Sequence, residues 1–534
     1  MNTIDKNKKQ MKKTSLLFLY AFNYCAAQPV NIMIANERMN PQEPCIAINY
    51  LNINQLVVGT NSNAGNTYYY SQDAGLTWKQ GSLVSTLGFY GDPVLLSDTL
   101  GNFYYFHLSE SNTATPPDRI VCPKLTGISN SWSNGTFTGL NGTKYEDKNW
   151  ATINPRNNNI YVTWTQFDNG LRNAGKLDST TNLFSKSEDL GQTWSTPKRI
   201  SKGDGNCGWE DLEDPKPCIG ENGEIYITWA DSSQILFNRS MDNGNTWLSQ
   251  DVLVTSIPGE RNYHVSGIER GKVRTAPMLV SDNSKGINHG NIYMLWTDQR
   301  NGKATNTDIW ISKSLDKGDT WGPAIKVNDD HTNTQQFMAT ICIDQSNGNI
   351  YSLFYDRRNY SNDSTDVYMA VSKDGGNSFK NYKISQRPFL WKGSIFYGDY
   401  ISIAAQNEIV RPVWTRSDNN KTSVWTAIVD LKTLDVENTF KESNQAFELV
   451  QNYPNPFETI TAIEFNVFFQ SDLSLEVVNI YGRKISTLIE NIKYGPGKYS
   501  IVFDNTRYHL PSGIYFICLS NNFITKNKSL VILK

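Results

Sequence analysis

The chain has 534 residues, which is more than one typical domain and is enough to bury a large core. Its formal net charge is only −2, so charge alone gives no general attraction to nucleic acid or to an acidic membrane surface. Aromatic residues make up 12% of the chain, which is typical of a protein built from many β-strands.

Residues 1–27 predict a secretory signal peptide. Lysines precede an apolar run that starts at Leu16, and Ala26 and Ala27 form a small-residue exit before Gln28. The run is too short to anchor the chain in a bilayer, and no later segment approaches the length of a transmembrane helix. We therefore expect export of a chain that starts at Gln28.

An eight-residue phrase, Ser-x-Asp-x-Gly-x-Thr-Trp, recurs along the chain. Its copies lie at residues 71–78, 187–194, 240–247, 314–321 and, in degenerate form, 372–379. An alternating strand precedes each copy, so the phrase predicts the turn of a β-hairpin. The Asp or Ser side chain accepts hydrogen bonds from nearby backbone N–H groups, and the glycine supplies a positive φ. Repetition at about 40–60 residues predicts a repeat architecture.

A second strand pattern recurs upstream of each phrase and occurs in seven copies. They lie at residues 55–59, 102–106, 159–164, 224–229, 291–296, 349–354 and 410–414. The second unit keeps its strands, with Trp132 midway, but has lost the phrase. A ring of four-stranded units protects its sheet edges only when it closes. We expect residues 30–34 to complete the last unit. Seven units are predicted, or six if the first or last pair merges.

The phrase resembles the Asp box, or BNR repeat, of sialidase-type β-propellers. The resemblance implies an all-β fold: a seven-bladed, alternatively six-bladed, sialidase-like β-propeller over residues 28–431, followed by a small Ig-like β-sandwich. The sialidase family itself has six blades. Residues repeated in every blade are expected to be structural and to lie far from the central channel. The Asp-box aspartates are Asp73, Asp189, Asp242, Asp316 and Asp374.

The repeats stop at a polar linker, residues 432–446, and a different pattern follows over residues 447–534. Short alternating strands with frequent turn signals predict a small β-sandwich. Residues 452–457 and 510–515 resemble the type A C-terminal sorting domain of the type IX secretion system. The resemblance implies export by that machinery, then release or attachment at the outer surface of a Gram-negative bacterium. An ordinary Ig-like accessory domain is the alternative.

The cysteines indicate neither a metal site nor a cofactor. Cys207 and Cys218 flank an insertion and could pair as a disulfide after export, whereas Cys45 and Cys342 lie in inner strands and are expected to be buried thiols. The sequence has no Cys/His spacing of the kind that binds metal. We predict no cofactor and no metal.

The positions that open the inner strands should converge at one mouth of the central channel. A concave mouth with convergent polar groups is the usual ligand site. Polar insertions, among them the segment that begins at Trp391, crowd the same face. In chain order the positions are Glu43, Asp92, Glu146 with Asp147, Glu213 with Asp214, Arg274, Gln336 and Asp399 with Tyr400.

One functional prediction is a glycoside hydrolase, which needs two carboxyl groups in different protonation states. The candidates are Asp92, Asp147, Asp214 and Asp399. The sialidase resemblance implies instead a tyrosine nucleophile, for which Tyr400 is the candidate, and an arginine clamp on a carboxylate. Candidate substrate contacts are Arg38, Arg274, Glu43 and Trp391, with Arg261 or Arg300 as a further arginine. The family's Arg-Ile-Pro opening is absent, and residues 42–44 occupy its place.

The alternative is a non-catalytic surface propeller that binds glycan or protein. Under this hypothesis the acidic ring is structural, and its carboxylates bond backbone N–H groups between blades. The predicted partners are an extracellular glycan or glycoprotein and the type IX secretion machinery.

Overall fold

The computed structural model describes residues 29–533 except 64, 111–116, 129–130, 142–143, 169–179, 202–211, 232, 260, 269–271, 303–305, 392–395, 433, 435–445 and 522–523. The predicted signal peptide lies outside the described residues. The chain divides into two compact units, one formed by Gln28–Leu434 and a second that includes Asp435–Lys534. The division falls within the predicted linker. Among the described residues, no helix is long and apolar enough to cross a membrane.

In its described part, the first unit holds seven antiparallel sheets of four or five strands. The N-terminal strand β1 (Val30–Ala35) precedes a 3₁₀ turn, Glu37–Met39. The first sheet comprises β2 (Gln42–Ile48), β3 (Leu56–Asn61), β4 (Thr67–Ser71) and β5 (Lys79–Ser82). The second comprises β6 (Gly91–Ser97), β7 (Asn102–Ser109), β8 (Arg119–Cys122), β9 (Lys124–Thr126) and β10 (Thr136–Thr138). The third comprises β11 (Tyr145–Ile153), β12 (Ile160–Phe167), β13 (Thr180–Ser187) and β14 (Lys198–Arg199).

The remaining sheets follow the same order of strands. The fourth comprises β15 (Leu212–Ile219), β16 (Ile225–Asp231), β17 (Gln234–Ser240) and β18 (Val252–Ser256). A separate hairpin, β19 (Asn262–His264) with β20 (Lys272–Arg274), comes next. The fifth sheet comprises β21 (Met278–Ser281), β22 (Ile292–Asp298), β23 (Asp308–Ser314) and β24 (Ile325–Lys326). The sixth comprises β25 (Gln336–Asp344), β26 (Asn349–Asp356), β27 (Ser364–Ser372), β28 (Lys380–Lys383) and β29 (Phe389–Leu390). The seventh contains β30 (Ser402–Gln406), β31 (Ile409–Asp418) and β32 (Lys421–Ile428).

The N-terminal strand closes the ring of sheets, as the sequence predicts. β1 pairs antiparallel with β32, with Val30 opposite Ile428, and becomes the outer strand of the seventh sheet. The first strand of each sheet packs against the first strand of the next, and β30 of the seventh sheet packs back against β2 of the first. The second strands are deeply buried, and four carry fully buried tryptophans at matching places: Trp164, Trp229, Trp296 and Trp414.

Each Asp box forms the turn between the third and fourth strands of its sheet, as predicted. In the first box, Ser71 Oγ accepts a hydrogen bond from the Gly75 N–H at 2.8 Å, and Asp73 Oδ1 accepts one from the Thr77 N–H at 2.8 Å. The equivalent bonds recur in the other four boxes at 2.8–3.0 Å. Ala74 and Gly75 both have positive φ, 56° and 88°, which is why the turn needs its glycine.

The second unit contains two antiparallel sheets that enclose one core. Its elements are β33 (Phe447–Leu449), β34 (Ile460–Val467), β35 (Ser471–Asn479), β36 (Lys484–Tyr494), β37 (Gly497–Asp504), the short helix α1 (Asn505–Tyr508), β38 (Gly513–Ser520) and β39 (Thr525–Ile532). The strand orders are β33-β34-β37 and β36-β35-β38-β39. Phe465 and Phe503 of one sheet pack in the same core as Leu475 and Ile517 of the other.

The cysteines that the structure describes carry free thiols. Cys45 is buried, as predicted, and Cys342 is partly buried. Cys218 is also a free, buried thiol, and Cys207 lies outside the described residues. The disulfide suggested between Cys207 and Cys218 therefore gains no support.

Candidate functional site

Five of the described inner strands begin with the same β-bulge. In each, the pairing with the second strand slips, and one residue in the slip adopts a left-handed conformation. A left-handed residue other than glycine costs about 1–3 kcal/mol, and bulges of this kind re-aim side chains near functional sites. The left-handed residues are Glu43 (φ 51°), Asp92 (φ 53°), Lys148 (φ 56°), Asp214 (φ 63°) and Met338 (φ 54°).

In two sheets, the residue at the bulge differs from the residue that the sequence predicted. In the third sheet the left-handed residue is Lys148 rather than Asp147, and in the sixth it is Met338 rather than Gln336. Because a bulge adds one residue, the alternation of side chains shifts by one beyond it. Gln336, just before the bulge, is fully buried and donates a hydrogen bond to Asp356 at 3.2 Å.

Glu146, predicted beside Asp147, also lies away from the channel. Its carboxyl is fully buried, accepts a hydrogen bond from Gln166 Nε2 at 2.7 Å, and has its pKa raised to about 8 by burial. The side chain of Glu213 lies outside the described residues.

Several of the predicted residues meet in one axial cavity, together with two lysines that the sequence reasoning missed. The cavity measures about 620 Å³, including its opening to solvent. Its apolar wall includes Met278, Met338 and Ile401. Its polar lining consists of Asp92, Lys148, Asn149, Asp214, Lys216, Arg274, Thr297, Thr340, Asp399 and Tyr400.

Lys148 and Asp399 form a partly buried ion pair at this cavity. Lys148 Nζ lies 2.6 Å from Asp399 Oδ2 and 3.9 Å from Asp147 Oδ2. Burial opposes the charge on Lys148, but the neighbouring carboxylates, Asp147 and Asp399 foremost, outweigh it and raise the pKa of Lys148 well above its ordinary value. The negative charge of the predicted acidic ring is therefore partly neutralised by Lys148, which lies in the ring itself.

Asp214 pairs with an arginine that a separate hairpin delivers. Arg261 Nη2 lies 3.0 Å from Asp214 Oδ2, and both side chains are almost fully buried. Burial alone would raise the pKa of Asp214, but the charges of Lys216 and Arg261 bring it below its usual range. Arg261 immediately precedes β19, and Arg274 at the end of β20 lines the cavity.

The sixth sheet fixes this hairpin in place. Gln335 Nε2 donates a hydrogen bond to the His264 carbonyl at 2.5 Å, and Arg357 Nη2 donates one to the Ser266 carbonyl at 2.8 Å. The hairpin therefore positions two arginines toward the channel without belonging to a sheet of the ring.

Asp92 and Glu43 are two further carboxyl groups whose pKa values burial raises. Glu43 accepts hydrogen bonds from Asn61 Nδ2 at 2.8 Å and from the Asp399 N–H at 3.0 Å, while burial and the Asp399 charge raise its pKa. The Asp92 carboxyl makes no hydrogen bond with any described residue. Burial, followed by the charge of Glu43, raises the pKa of Asp92 well above its ordinary value.

Tyr400, the candidate nucleophile, is held as a neutral phenol. Its hydroxyl donates a hydrogen bond to the Pro93 carbonyl at 3.0 Å, next to the left-handed Asp92. Burial and the Glu43 charge raise the pKa of Tyr400 well above its ordinary value. This geometry suits a residue that fixes the Asp92 bulge better than it suits an ionised nucleophile.

The structure does not assemble the predicted arginine clamp. Arg38 is exposed beside the 3₁₀ turn, and Trp391 is buried against Tyr397; neither is among the described residues that line the cavity. Arg300 pairs with Asp298, with Nη2 and Oδ2 2.6 Å apart. Arg274 is the arginine among the described lining residues.

Comparison with known proteins identifies the C-terminal unit. Residues 451–533 match the family described as the secretion system C-terminal sorting domain. This unit is a type IX sorting domain. The protein is therefore secreted or attached at the outer cell surface of a Gram-negative bacterium. A search of curated proteins finds no match to the chain.

The solved structures that resemble this chain include glycosidases. The NanB sialidase of Streptococcus pneumoniae is 10% identical, with a TM-score of 0.44 over 71% of this chain and 84% of that one. The GH93 α-L-arabinofuranosidase of Fusarium graminearum is 11% identical, with a TM-score of 0.43 over 77% and 99%. A Dyadobacter fermentans protein of unknown function is 11% identical, with a TM-score of 0.42 over 75% and 98%. TM-scores below 0.5 at such identities say nothing about activity.

Proposed function

We propose that this protein is an exported glycoside hydrolase that acts on extracellular glycans at the axial cavity of a seven-bladed β-propeller. The sorting domain supports the extracellular setting. The seven sheets, closed through β1 and β32, support the blade count, and the C-terminal unit is interpreted as an Ig-like sandwich. Glycosidic cleavage needs a pair of carboxyl groups, and the cavity lining supplies Asp92, Asp214 and Asp399.

The observation that carries the proposal is the contrast between Asp92 and Asp399. Both line the same cavity, but Asp92 has no hydrogen-bonding partner among the described residues and favours its neutral form, whereas Asp399 is bound to the Lys148 ammonium at 2.6 Å. A neutral carboxylic acid beside a charged carboxylate is the division of roles that glycosidic cleavage requires.

These states assign the roles of the two carboxyl groups. Asp92 donates its proton to the glycosidic oxygen as the bond to the leaving group breaks. The Asp399 carboxylate faces the positive charge that develops on the sugar ring, as base or nucleophile. Asp214 and Asp147 are positioning residues in this scheme, because Arg261 and Lys148 respectively lie beside their carboxylates.

A non-catalytic glycan- or protein-binding propeller is the second candidate, and one observation favours it. Many polar groups of the cavity are already paired within the protein: Lys148 with Asp399, Asp214 with Arg261, and Tyr400 with the Pro93 carbonyl. Such mutual pairing is also how a purely structural polar cluster is satisfied.

A hydrolysis assay separates the two candidates. The purified full chain is offered a panel of fluorogenic aryl glycosides, including sialosides, and active substrates are repeated with Asp92→Asn, Asp399→Asn, Asp147→Ala and Asp214→Ala. The surface variant Asp319→Asn, far from the cavity, is the matched control. Turnover that is lost in Asp92→Asn and kept in the control supports the hydrolase. Turnover that all four carboxyl variants retain refutes it, and saturable binding without turnover supports the second candidate.

A further inference from the structure

Lys216, like Arg274, is a cation of the axial cavity that the proposed cleavage does not use. It lies in β15, two residues after the left-handed Asp214, and its side chain lines the cavity. The residue is only 5% exposed. Its ammonium lies 4.0 Å from the centroid of the Trp150 ring. No described residue accepts a hydrogen bond from this ammonium.

Its surroundings hold it in this place. Thr163 Oγ1 donates a hydrogen bond at 2.6 Å to the carbonyl of Pro215, the residue between Asp214 and Lys216. The Trp150 ring, which lies under the ammonium, is itself held edge-on by Tyr400 at 5.5 Å between ring centroids. Lys216 is therefore directed at the cavity by packing on both sides, and it is not a loose surface lysine.

The charges around Lys216 leave it incompletely balanced. Asp214 attracts the ammonium, but its Oδ2 is already engaged by Arg261 at 3.0 Å, so two cations share one carboxylate. Asp399 is bound to Lys148, and Asp92 favours its neutral form. A buried cation without a hydrogen-bonding partner is costly to the fold, so its persistence at a cavity indicates a ligand. Burial also lowers the pKa of Lys216, consistent with an ammonium that lacks a close counter-ion.

We propose that Lys216 is an anion-binding residue whose ammonium binds an oxyanion group, such as a carboxylate, sulfate or phosphate, in the axial cavity. Trp150 holds the ammonium through its ring face and leaves the N–H groups directed at the ligand. Anion binding at Lys216 does not depend on glycosidic cleavage. It is expected whether the protein is a hydrolase or a non-catalytic binding propeller.

Direct binding measurements test the site. Sodium acetate, sodium sulfate and sodium phosphate are titrated into the full chain by calorimetry, each in a chloride background of matched ionic strength. The three salts distinguish carboxylate, sulfate and phosphate as sources of the oxyanion. Lys216→Met removes the charge at similar length, and Lys79→Met, at an exposed position in β5, is the matched control. We expect at least one anion to bind, with affinity about tenfold or more weaker in Lys216→Met and unchanged in Lys79→Met.

A thermal-unfolding series gives a second readout. In chloride alone, the melting temperature of Lys216→Met should stay close to that of the wild type, because the relief of burying the ammonium offsets the loss of its attraction to Asp214. The bound anion should then raise the melting temperature of the wild type and of Lys79→Met, but not of Lys216→Met. Lys216→Gln replaces the methionine variant if that variant does not fold. Equal anion binding in the neutral Lys216 variant, or no anion binding above chloride in the wild type, overturns the proposal. Neither result bears on whether the protein hydrolyses glycosides, because acetate, sulfate and phosphate contain no glycosidic bond. The two proposals can therefore fail separately.

Discussion

The rim of the propeller unit is formed by the Asp-box turns, and its hub is formed by the starts of the inner strands. The two regions repeat different structural features. At the rim, five Asp boxes keep the same side chains and the same hydrogen bonds, from Ser71 and Asp73 in the first sheet to Ser372 and Asp374 in the sixth. At the hub, five inner strands keep the same left-handed bulge but place Glu, Asp, Lys, Asp and Met at it. Constant side chains indicate architecture, whereas a constant backbone with varied side chains indicates a site.

The carboxyl groups of the two regions also differ in their chemistry. At the rim, hydrogen bonds from Thr246 lower the pKa of the exposed Asp242 to about 2. At the hub, burial raises the pKa of Asp92 well above its ordinary value. The same residue type is thus held ionised where it closes a turn, and neutral where it faces the cavity.

The largest effect on stability is expected at the hub from Arg261→Met. Removing this partner leaves Asp214 buried beside fewer cations, which should cost about 3–5 kcal/mol of unfolding free energy. Urea denaturation at pH 7 measures the loss. The double variant Asp214→Asn with Arg261→Met should recover much of it, and a single-variant loss below about 1 kcal/mol would show that the pair is not buried as described.

A rim substitution should have a smaller effect on stability and none on ligand binding. Asp242→Ala removes an acceptor from the Thr246 N–H at 2.8 Å and from the Thr246 and Ser240 hydroxyls, and should cost about 1–2 kcal/mol at pH 7. Because the folded pKa of Asp242 is depressed to about 2, this contribution is present above about pH 4 and is lost as the pH falls toward 2.

Thermal unfolding of Asp242→Ala between pH 2 and 7 checks this window. Met241→Ala, at the exposed neighbouring position, is the matched control and should change little. A difference between the wild type and Asp242→Ala that is as large at pH 2 as at pH 7 would contradict the hydrogen-bonding account.

The smallest effect on stability, with the opposite sign, is expected from Asp92→Asn. The folded pKa of Asp92 is raised, so its carboxyl disfavours the folded state as the pH rises above the ordinary value of 3.8. The amide should therefore leave stability at pH 7 unchanged or raise it by about 1 kcal/mol. Hydrolysis should be lost, and the wild-type rate should fall as the pH rises through the folded pKa of Asp92. A marked destabilisation by Asp92→Asn would assign Asp92 a structural role instead.

The sequence was sufficient for the parts of the fold that rest on local chemistry. The Asp-box turns follow from short polar side chains and a glycine, and the closure by β1 follows from the edge left by an incomplete last sheet. Asp92 and Asp214 were found because each lies at the start of an inner strand.

The rest depends on register and on contacts between distant segments. The sequence does not reveal where a bulge falls, so it predicted Asp147 and Gln336, whereas Lys148 and Met338 line the cavity. Lys216 was missed for a different reason. Arg261, forty-five residues later in the chain, pairs with Asp214 and so competes with Lys216 for that carboxylate, and the sequence does not show this contact. Arg38 and Trp391 are the opposite case. The sequence predicted them as substrate contacts, but they are not among the described residues that line the cavity.

The central claim, that chemistry belongs to the hub and architecture to the rim, is tested most directly by measuring hydrolysis rate and melting temperature together for Asp92→Asn and Asp242→Ala. The account predicts that Asp92→Asn loses about a hundredfold or more in rate with no loss of melting temperature, and that Asp242→Ala keeps its rate while melting earlier. Full hydrolysis by Asp92→Asn, or a loss of rate in folded Asp242→Ala, would contradict it.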